Sequence, residues 1–65
     1  MPNTIKEVVE RIKKVGVENT RIIPKGNTVQ IQVKVGNDWL MIMENVAPGS
    51  ADDIIRQASS RVILG

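Results

Sequence analysis

The sequence predicts a small α+β domain in which two helices pack against a three-stranded antiparallel meander, in the order α–β–β–β–α. Apolar residues recur at helical spacing near the N-terminus and again after Ser50. Between these segments, residues 28–35 alternate strictly between apolar and polar side chains, which is typical of a half-buried strand. Glycine-containing turns separate the strand segments, and the length of 65 residues indicates a single domain, residues 1–65.

The N-terminal segment is predicted to form the first helix, which begins after Thr4. Thr4 and Glu7 have the spacing of a capping box, in which each side chain accepts a hydrogen bond from the other residue's backbone N–H. Gly16 fits the left-handed position that commonly ends a helix. The apolar stripe that this helix would bury consists of Ile5, Val8, Val9, Ile12 and Val15.

The central segment is predicted to form three strands joined by tight turns. Residues 20–23 are β-prone and are followed by Pro24, and because proline donates no ladder hydrogen bond, this strand is expected at an edge. Residues 28–35 form the second strand. The pair Gly36-Asn37 is a good two-residue hairpin turn, after which residues 39–44 form the return strand.

A second helix is predicted after the strands, beginning at Ser50. Serine is a favoured N-cap residue, and Asp52 and Asp53 would lie in the first turn, where the helix dipole favours negative charge. Residues 61–64 are interpreted as the end of this helix, with a short extended tail as the alternative. The apolar positions of the helix are Ala51, Ile54, Ile55, Ala58 and Val62.

The return strand contains more large apolar residues than a sheet with one solvent-exposed face can bury. Five consecutive residues are apolar, and alternate residues of a strand point to opposite faces. With a two-residue loop, Leu40 and Ile42 lie on the core face. With a three-residue loop, Trp39, Met41 and Met43 lie there instead. One apolar row is left over in either register.

Two arrangements would accommodate the additional apolar row. Either the two helices cover opposite faces of the sheet, or one row forms an exposed patch of the kind that usually marks an association surface. The neighbouring polar row, Gln30, Gln32 and Lys34, favours the exposed patch. Self-association as a two-fold homodimer is its commonest use, with another protein as the alternative partner. The predicted interface residues are Trp39, Met41 and Met43 in the register with the two-residue loop, and Leu40 and Ile42 in the other register.

The composition includes few of the residue types that carry out catalysis. The chain has neither cysteine nor histidine, which removes disulfides, thiolate nucleophiles, imidazole metal ligands and histidine acid–base chemistry. Asp52 and Asp53 are neighbours on a helix and point in different directions, so they do not form an acid–base pair. The sequence contains no phosphate-binding glycine motif. We therefore expect a non-enzymatic protein with no metal, no cofactor and no small-molecule substrate.

The distribution of charge supports an alternative function. Residues 1–36 contain seven Lys or Arg and three Glu, whereas residues 37–65 contain two Arg and four acids. A basic region of this kind can supply the phosphate contacts of a nucleic-acid-binding protein. The candidate residues for such contacts are Lys13, Lys14, Arg21, Lys25 and Lys34.

The predicted element order resembles that of the double-stranded RNA-binding domain, which is also α–β–β–β–α and of similar length. In that family the last helix starts with a lysine-rich stretch that contacts phosphates. At the corresponding place this chain has Ser, Ala, Asp and Asp at residues 50–53, and the two carboxylates would repel phosphate. Trp39 is the single aromatic residue available for stacking on bases. Nucleic-acid binding is therefore the second hypothesis.

A cytoplasmic location is expected. The N-terminal residues lack the apolar core of a signal peptide. The longest apolar run, residues 39–43, is far too short to cross a bilayer, and no membrane interaction is predicted. The absence of cysteine agrees with a reducing compartment.

Overall fold

The chain folds as a helix, three antiparallel strands and a second helix, which confirms the predicted α–β–β–β–α order. The computed structural model describes residues 4–59. Within this range the elements are α1 (Ile5–Val15), a single 3-10 turn (Val17–Asn19), β1 (Thr20–Lys25), β2 (Thr28–Val35), β3 (Asp38–Val46) and α2 (Pro48–Ser59).

Helix α1 begins and ends as the sequence predicts. The Glu7 N–H donates to the Thr4 hydroxyl at 3.1 Å, and the Thr4 N–H donates to the Glu7 carboxylate at 3.0 Å, so the capping box is complete. Gly16 ends the helix with a φ of +97°, and its N–H donates to the Ile12 carbonyl at 2.7 Å. The capped helix directs Val8, Val9 and Ile12 into the core.

The strands form one antiparallel sheet in the order β1-β2-β3, so β1 is an edge strand as predicted. It does not stop at Pro24, however, but continues through Pro24 to Lys25. Proline is accommodated because alternate backbone groups of an edge strand point away from the sheet and need no hydrogen-bond partner in it. Pro24, which pairs with Val29, lies on such a strand.

The β2–β3 hairpin has a two-residue loop that begins at Gly36. Val35 pairs with Asp38 across the turn, and Gly36 has a φ of +63°, in the left-handed region that a hairpin turn of this length requires. Val33 consequently pairs with Leu40. Of the two registers considered from the sequence, this is the one that directs Leu40 toward the core side of the sheet.

Farther along, β3 departs twice from regular pairing. Met43, rather than Ile42, pairs with Ile31, so Ile42 is the additional residue of a β-bulge. A second shift precedes Val46, where Asn45 adopts a left-handed φ of 57°. The strict alternation assumed from the sequence therefore ends after Met41.

Both helices pack on the same face of the sheet, so the arrangement in which they cover opposite faces is wrong. One aliphatic core joins the two helices to strands β2 and β3. We call the covered side of the sheet the helix face and the other side the open face, which no element within residues 4–59 covers. The buried core residues are Val8, Val9, Ile12, Val29, Ile31, Val33, Ile42, Val46, Ala51 and Ile54.

Helix α2 begins two residues earlier than predicted, at Pro48 rather than Ser50. The Ala51 N–H donates to the Ala47 carbonyl at 3.0 Å, which makes Ala47 the residue before the helix. Proline suits the first helical position because its fixed φ is helical and its missing N–H would have no partner there. The acidic pair at 52 and 53 lies in the second turn as a result. The predicted end of the helix at residues 61–64 lies outside the described residues.

Candidate functional site

The open face combines apolar and cationic side chains. The register assigns it alternate residues of each strand, because directly opposed residues of an antiparallel pair point to the same side. Trp39 pairs with Lys34, and Met41 pairs with Gln32. The principal residues of the open face are Arg21, Gln30, Gln32, Lys34, Trp39 and Met41.

Three consecutive residues of β3 expose large apolar side chains. The exposed fractions are 37% for Trp39, 47% for Leu40 and 43% for Met41. Trp39 and Met41 belong to the open face, whereas Leu40 points to the helix face opposite Val33. Val35, which continues the helix-face row of β2 to the turn, is also 47% exposed. The apolar exposure at the start of β3 therefore involves both faces of the sheet.

The structure removes Ile42 and Met43 from the predicted interface. Ile42 is only 7% exposed and belongs to the core. Met43 is partly buried and packs against that core, because the bulge turns it to the same side as Ile31. Of the five candidate interface residues, the first three therefore remain exposed.

Arg21 links the open-face residues of all three strands. Its guanidinium carbon lies 4.1 Å from the centroid of the Trp39 ring, within the range of a cation–π contact. The Arg21 Nε also donates to the Gln32 carboxamide oxygen at 2.7 Å. Gln32 in turn donates to Gln30 at 3.2 Å. These contacts hold the Trp39 indole against the sheet. They also engage the guanidinium of Arg21 with groups of the protein itself.

The five basic residues proposed as a nucleic-acid site do not form one surface. Arg21, Lys25 and Lys34 lie on the open face, as their pairing partners show. Lys13 and Lys14 lie in the last turn of α1, on the helical layer. The open face therefore keeps three of the five predicted cations. Lys34 pairs with Trp39 and Arg21 contacts its ring, whereas Lys25 pairs with Thr28 at the other end of the sheet.

The two edges of the sheet differ in how they are protected from pairing. Edge strands expose backbone N–H and C=O groups, and proteins commonly obstruct such edges with proline or bulges. Strand β1 contains Pro24, and the later part of β3 contains the bulges around Ile42 and Asn45. Residues 38–41 of β3 pair regularly with β2 and contain neither feature. We call this stretch the free edge.

A charged groove of about 640 Å³ lies between α1 and β3. Ile42 lines it on the strand side. The carboxylate of Glu7 is used in the capping box, and that of Glu10 lies 3.8 Å from Lys13. The residues that α1 contributes to the groove are Lys6, Glu7, Val8, Glu10, Arg11, Lys13 and Lys14.

Compared with protein-family models, with curated proteins and with solved structures, the chain matches none of them, so no family is assigned. None of the helices within residues 4–59 has the length and apolar character needed to span a membrane.

The sequence identified the apolar residues of the candidate site but did not predict that the site lies along an edge of the sheet. The prediction of five interface residues assumed a flat strand, and the bulge at Ile42 had no clear signal in an unbroken apolar run. The groove beside α1 was also missed, since it depends on how the helix lies across the sheet.

Proposed function

We propose that the protein is a non-enzymatic interaction module that acts through the first half of β3 and forms a homodimer. The observation that carries this proposal is the exposure of Trp39, Leu40 and Met41 in succession on an edge strand. An apolar, unobstructed edge is the type of surface through which sheets associate. The cytoplasmic location expected from the sequence belongs to the same proposal.

The residue types at this surface support association. Tryptophan and methionine are enriched in the cores of protein interfaces, and methionine adapts its shape to different partners. Arg21 already holds the Trp39 ring, so less side-chain freedom would be lost on binding than for a mobile indole. A small domain also gains stability from association, since its own core is limited.

The proposal is tested by comparing two lysine variants in sedimentation at matched concentrations. Met41→Lys introduces a charge into the exposed apolar row, while Gln57→Lys introduces the same charge on an exposed position of α2. We expect the wild-type chain and Gln57→Lys to dimerise and Met41→Lys to remain monomeric. A wild-type chain that stays monomeric up to millimolar concentration would overturn the proposal.

Nucleic-acid binding is the second candidate, and the position of Arg21 and Lys34 beside Trp39, with Lys25 farther along the same face, favours it. An open sheet face with cations and an aromatic ring is a suitable surface for single-stranded nucleic acid. Binding of a fluorescent oligonucleotide across a salt series tests it, because cations that neutralise phosphates release counterions, so the affinity falls as the salt concentration rises. No binding at about 50 mM salt would exclude this candidate.

A further inference from the structure

We infer that two copies of the chain associate edge to edge, through antiparallel pairing of their free edges about a two-fold axis at Leu40. The paired strands would join two three-stranded sheets into one continuous six-stranded sheet. This inference rests on the proposed self-association and specifies its geometry. The occupant of the free edge is thus a second copy of this chain.

Exposed apolar residues lie on both sides of strand β3, which favours a partner placed at its edge. Trp39 and Met41 point to the open face, and Leu40 points to the helix face. A partner stacked on the open face would leave Leu40 in water. A partner strand hydrogen-bonded alongside β3 places new side chains next to both rows at once, since its own residues alternate in the same way.

The charge of the open face also favours pairing along the edge. Two open faces stacked on each other would bring the cations of one copy, Arg21, Lys25 and Lys34, against the equally cationic face of the other. Like charges brought together at an interface are destabilising. Pairing along the edge leaves these side chains pointing into solvent, so it avoids that repulsion.

The regular part of β3 favours one register. Regular pairing of β3 with β2 ends after Met41, and a two-fold axis at Leu40 pairs residues 39–41 of the two copies within that regular part. Each Leu40 then faces its symmetry mate, and Trp39 faces Met41 of the second copy. Such a pair permits a favourable contact between the methionine sulfur and the indole ring.

The same register brings an acid to the groove beside α1. Asp38 pairs with Val35 and so points to the helix face. About an axis at Leu40, Asp38 of one copy lies opposite Ile42 of the other, and Ile42 lines the groove together with cations of α1. The nearby acids are already engaged, Glu7 by Thr4 and Glu10 by Lys13. The cationic side of the groove therefore complements the incoming Asp38 carboxylate.

The contact involves only a short stretch of strand, whereas a standard protein interface buries about 1,600 Å². We therefore expect a weak dimer that dissociates on dilution, and the test must trap it. Because the chain contains no cysteine, single cysteines can be introduced without background reactions. Directly opposed residues in a non-hydrogen-bonded antiparallel pair lie about 4.5 Å apart at Cα, which permits a disulfide.

Three variants distinguish the possible geometries under mild oxidation. Leu40→Cys lies on the proposed axis, and Val35→Cys is a matched control because both positions are 47% exposed and point to the helix face. Val35 is on the central strand, so two copies of it would be at least about three strand spacings, or about 14 Å, apart. Lys34→Cys, on the open face of the same strand, reports face-to-face stacking.

We expect Leu40→Cys to form disulfide-linked dimers at least about tenfold faster than either control variant. Faster linking of Lys34→Cys or Val35→Cys, in a chain that sediments as a dimer, would overturn the edge geometry and leave the proposed function standing. Equal, slow linking of all three variants in a chain that sediments as a monomer would overturn both.

Charge reversal tests the Asp38 contact independently. Asp38→Lys should weaken the dimer about tenfold, and adding Arg11→Glu in the same chain should restore part of the loss. Asp52→Lys makes the same charge change at an exposed position of α2 and should leave the dimer unchanged. Equal effects of Asp38→Lys and Asp52→Lys would contradict the assigned register, because only net charge would then matter.

Discussion

The guanidinium of Arg21 on β1 lies over the indole of Trp39 on β3, with 4.1 Å between the guanidinium carbon and the ring centroid. The two residues belong to the two outer strands, and Gln32 of the central strand accepts a hydrogen bond from Arg21 between them. The contact therefore spans the whole width of the sheet. It also fixes the orientation of the single aromatic side chain in the protein.

Replacing Arg21 by alanine should release the Trp39 ring. We expect a shift of the tryptophan emission to longer wavelength and a loss of about 0.5–1 kcal/mol in the free energy of unfolding, the usual value of an exposed cation–π contact. Because Trp39 is the only tryptophan and the chain has no tyrosine, the emission reports this site alone. Arg21→Lys should recover only part of the effect, since lysine lacks the planar group that stacks on the ring. Emission identical to that of the wild type would contradict the contact.

Two neighbouring residues of β3 should respond very differently to lysine. Ile42 is 7% exposed and Met41 is 43% exposed. Ile42→Lys buries a charge in an aliphatic core and should unfold the domain, while Met41→Lys should change the free energy of unfolding by less than about 1 kcal/mol. Circular dichroism during urea unfolding makes the comparison. Similar losses for both variants would contradict the assignment of Ile42 to the core and of Met41 to the surface.

Asn45 should tolerate glycine and resist β-branched residues. Its φ of 57° is in the left-handed region, which glycine and asparagine adopt more easily than other residues. We expect Asn45→Gly to be neutral or slightly stabilising and Asn45→Val to lower the free energy of unfolding by about 1–2 kcal/mol. Thermal unfolding of the two variants measures the difference. A valine variant as stable as the glycine variant would argue against the second irregularity of β3.

The capping box of α1 should contribute measurably to stability. Thr4→Ala removes the hydroxyl that accepts from the Glu7 N–H, and the expected loss is about 1 kcal/mol. Thr4→Ser keeps that acceptor and serves as the matched control. Urea unfolding followed at a helix-sensitive wavelength separates the two variants. A serine variant as unstable as the alanine variant would show that the hydroxyl does not cap the helix.

Local signals in the sequence predicted most of the fold. The capping box at Thr4 and the turn at Gly36 each act over a few residues, so their structural effect can be read without knowing the rest of the chain. The start of α2 was missed because Pro48 followed by Gly49 is typical of a turn and equally compatible with the first turn of a helix.

The candidate site was only partly predictable for a different reason. The surplus of apolar residues in β3 follows from counting, and the exposure of Trp39 and Met41 agrees with one of the two registers considered. For the observed register the exposure of Leu40 was not predicted, since it depends on how far the helices extend over the hairpin end of the sheet. The core position of Ile42 follows from the two-residue loop, whereas the burial of Met43 depends on a bulge, which an uninterrupted apolar run does not reveal.

The most direct test of the account is amide hydrogen exchange, measured across a dilution series and resolved for the two outer strands. The amides of Trp39 and Met41, which point away from β2, should exchange more slowly at high protein concentration and faster on dilution, because pairing protects edge amides. Residues 21–25 on the opposite edge, which contains Pro24, should show no dependence on concentration. Exchange of the Trp39 and Met41 amides that does not change with concentration would contradict self-association through this edge.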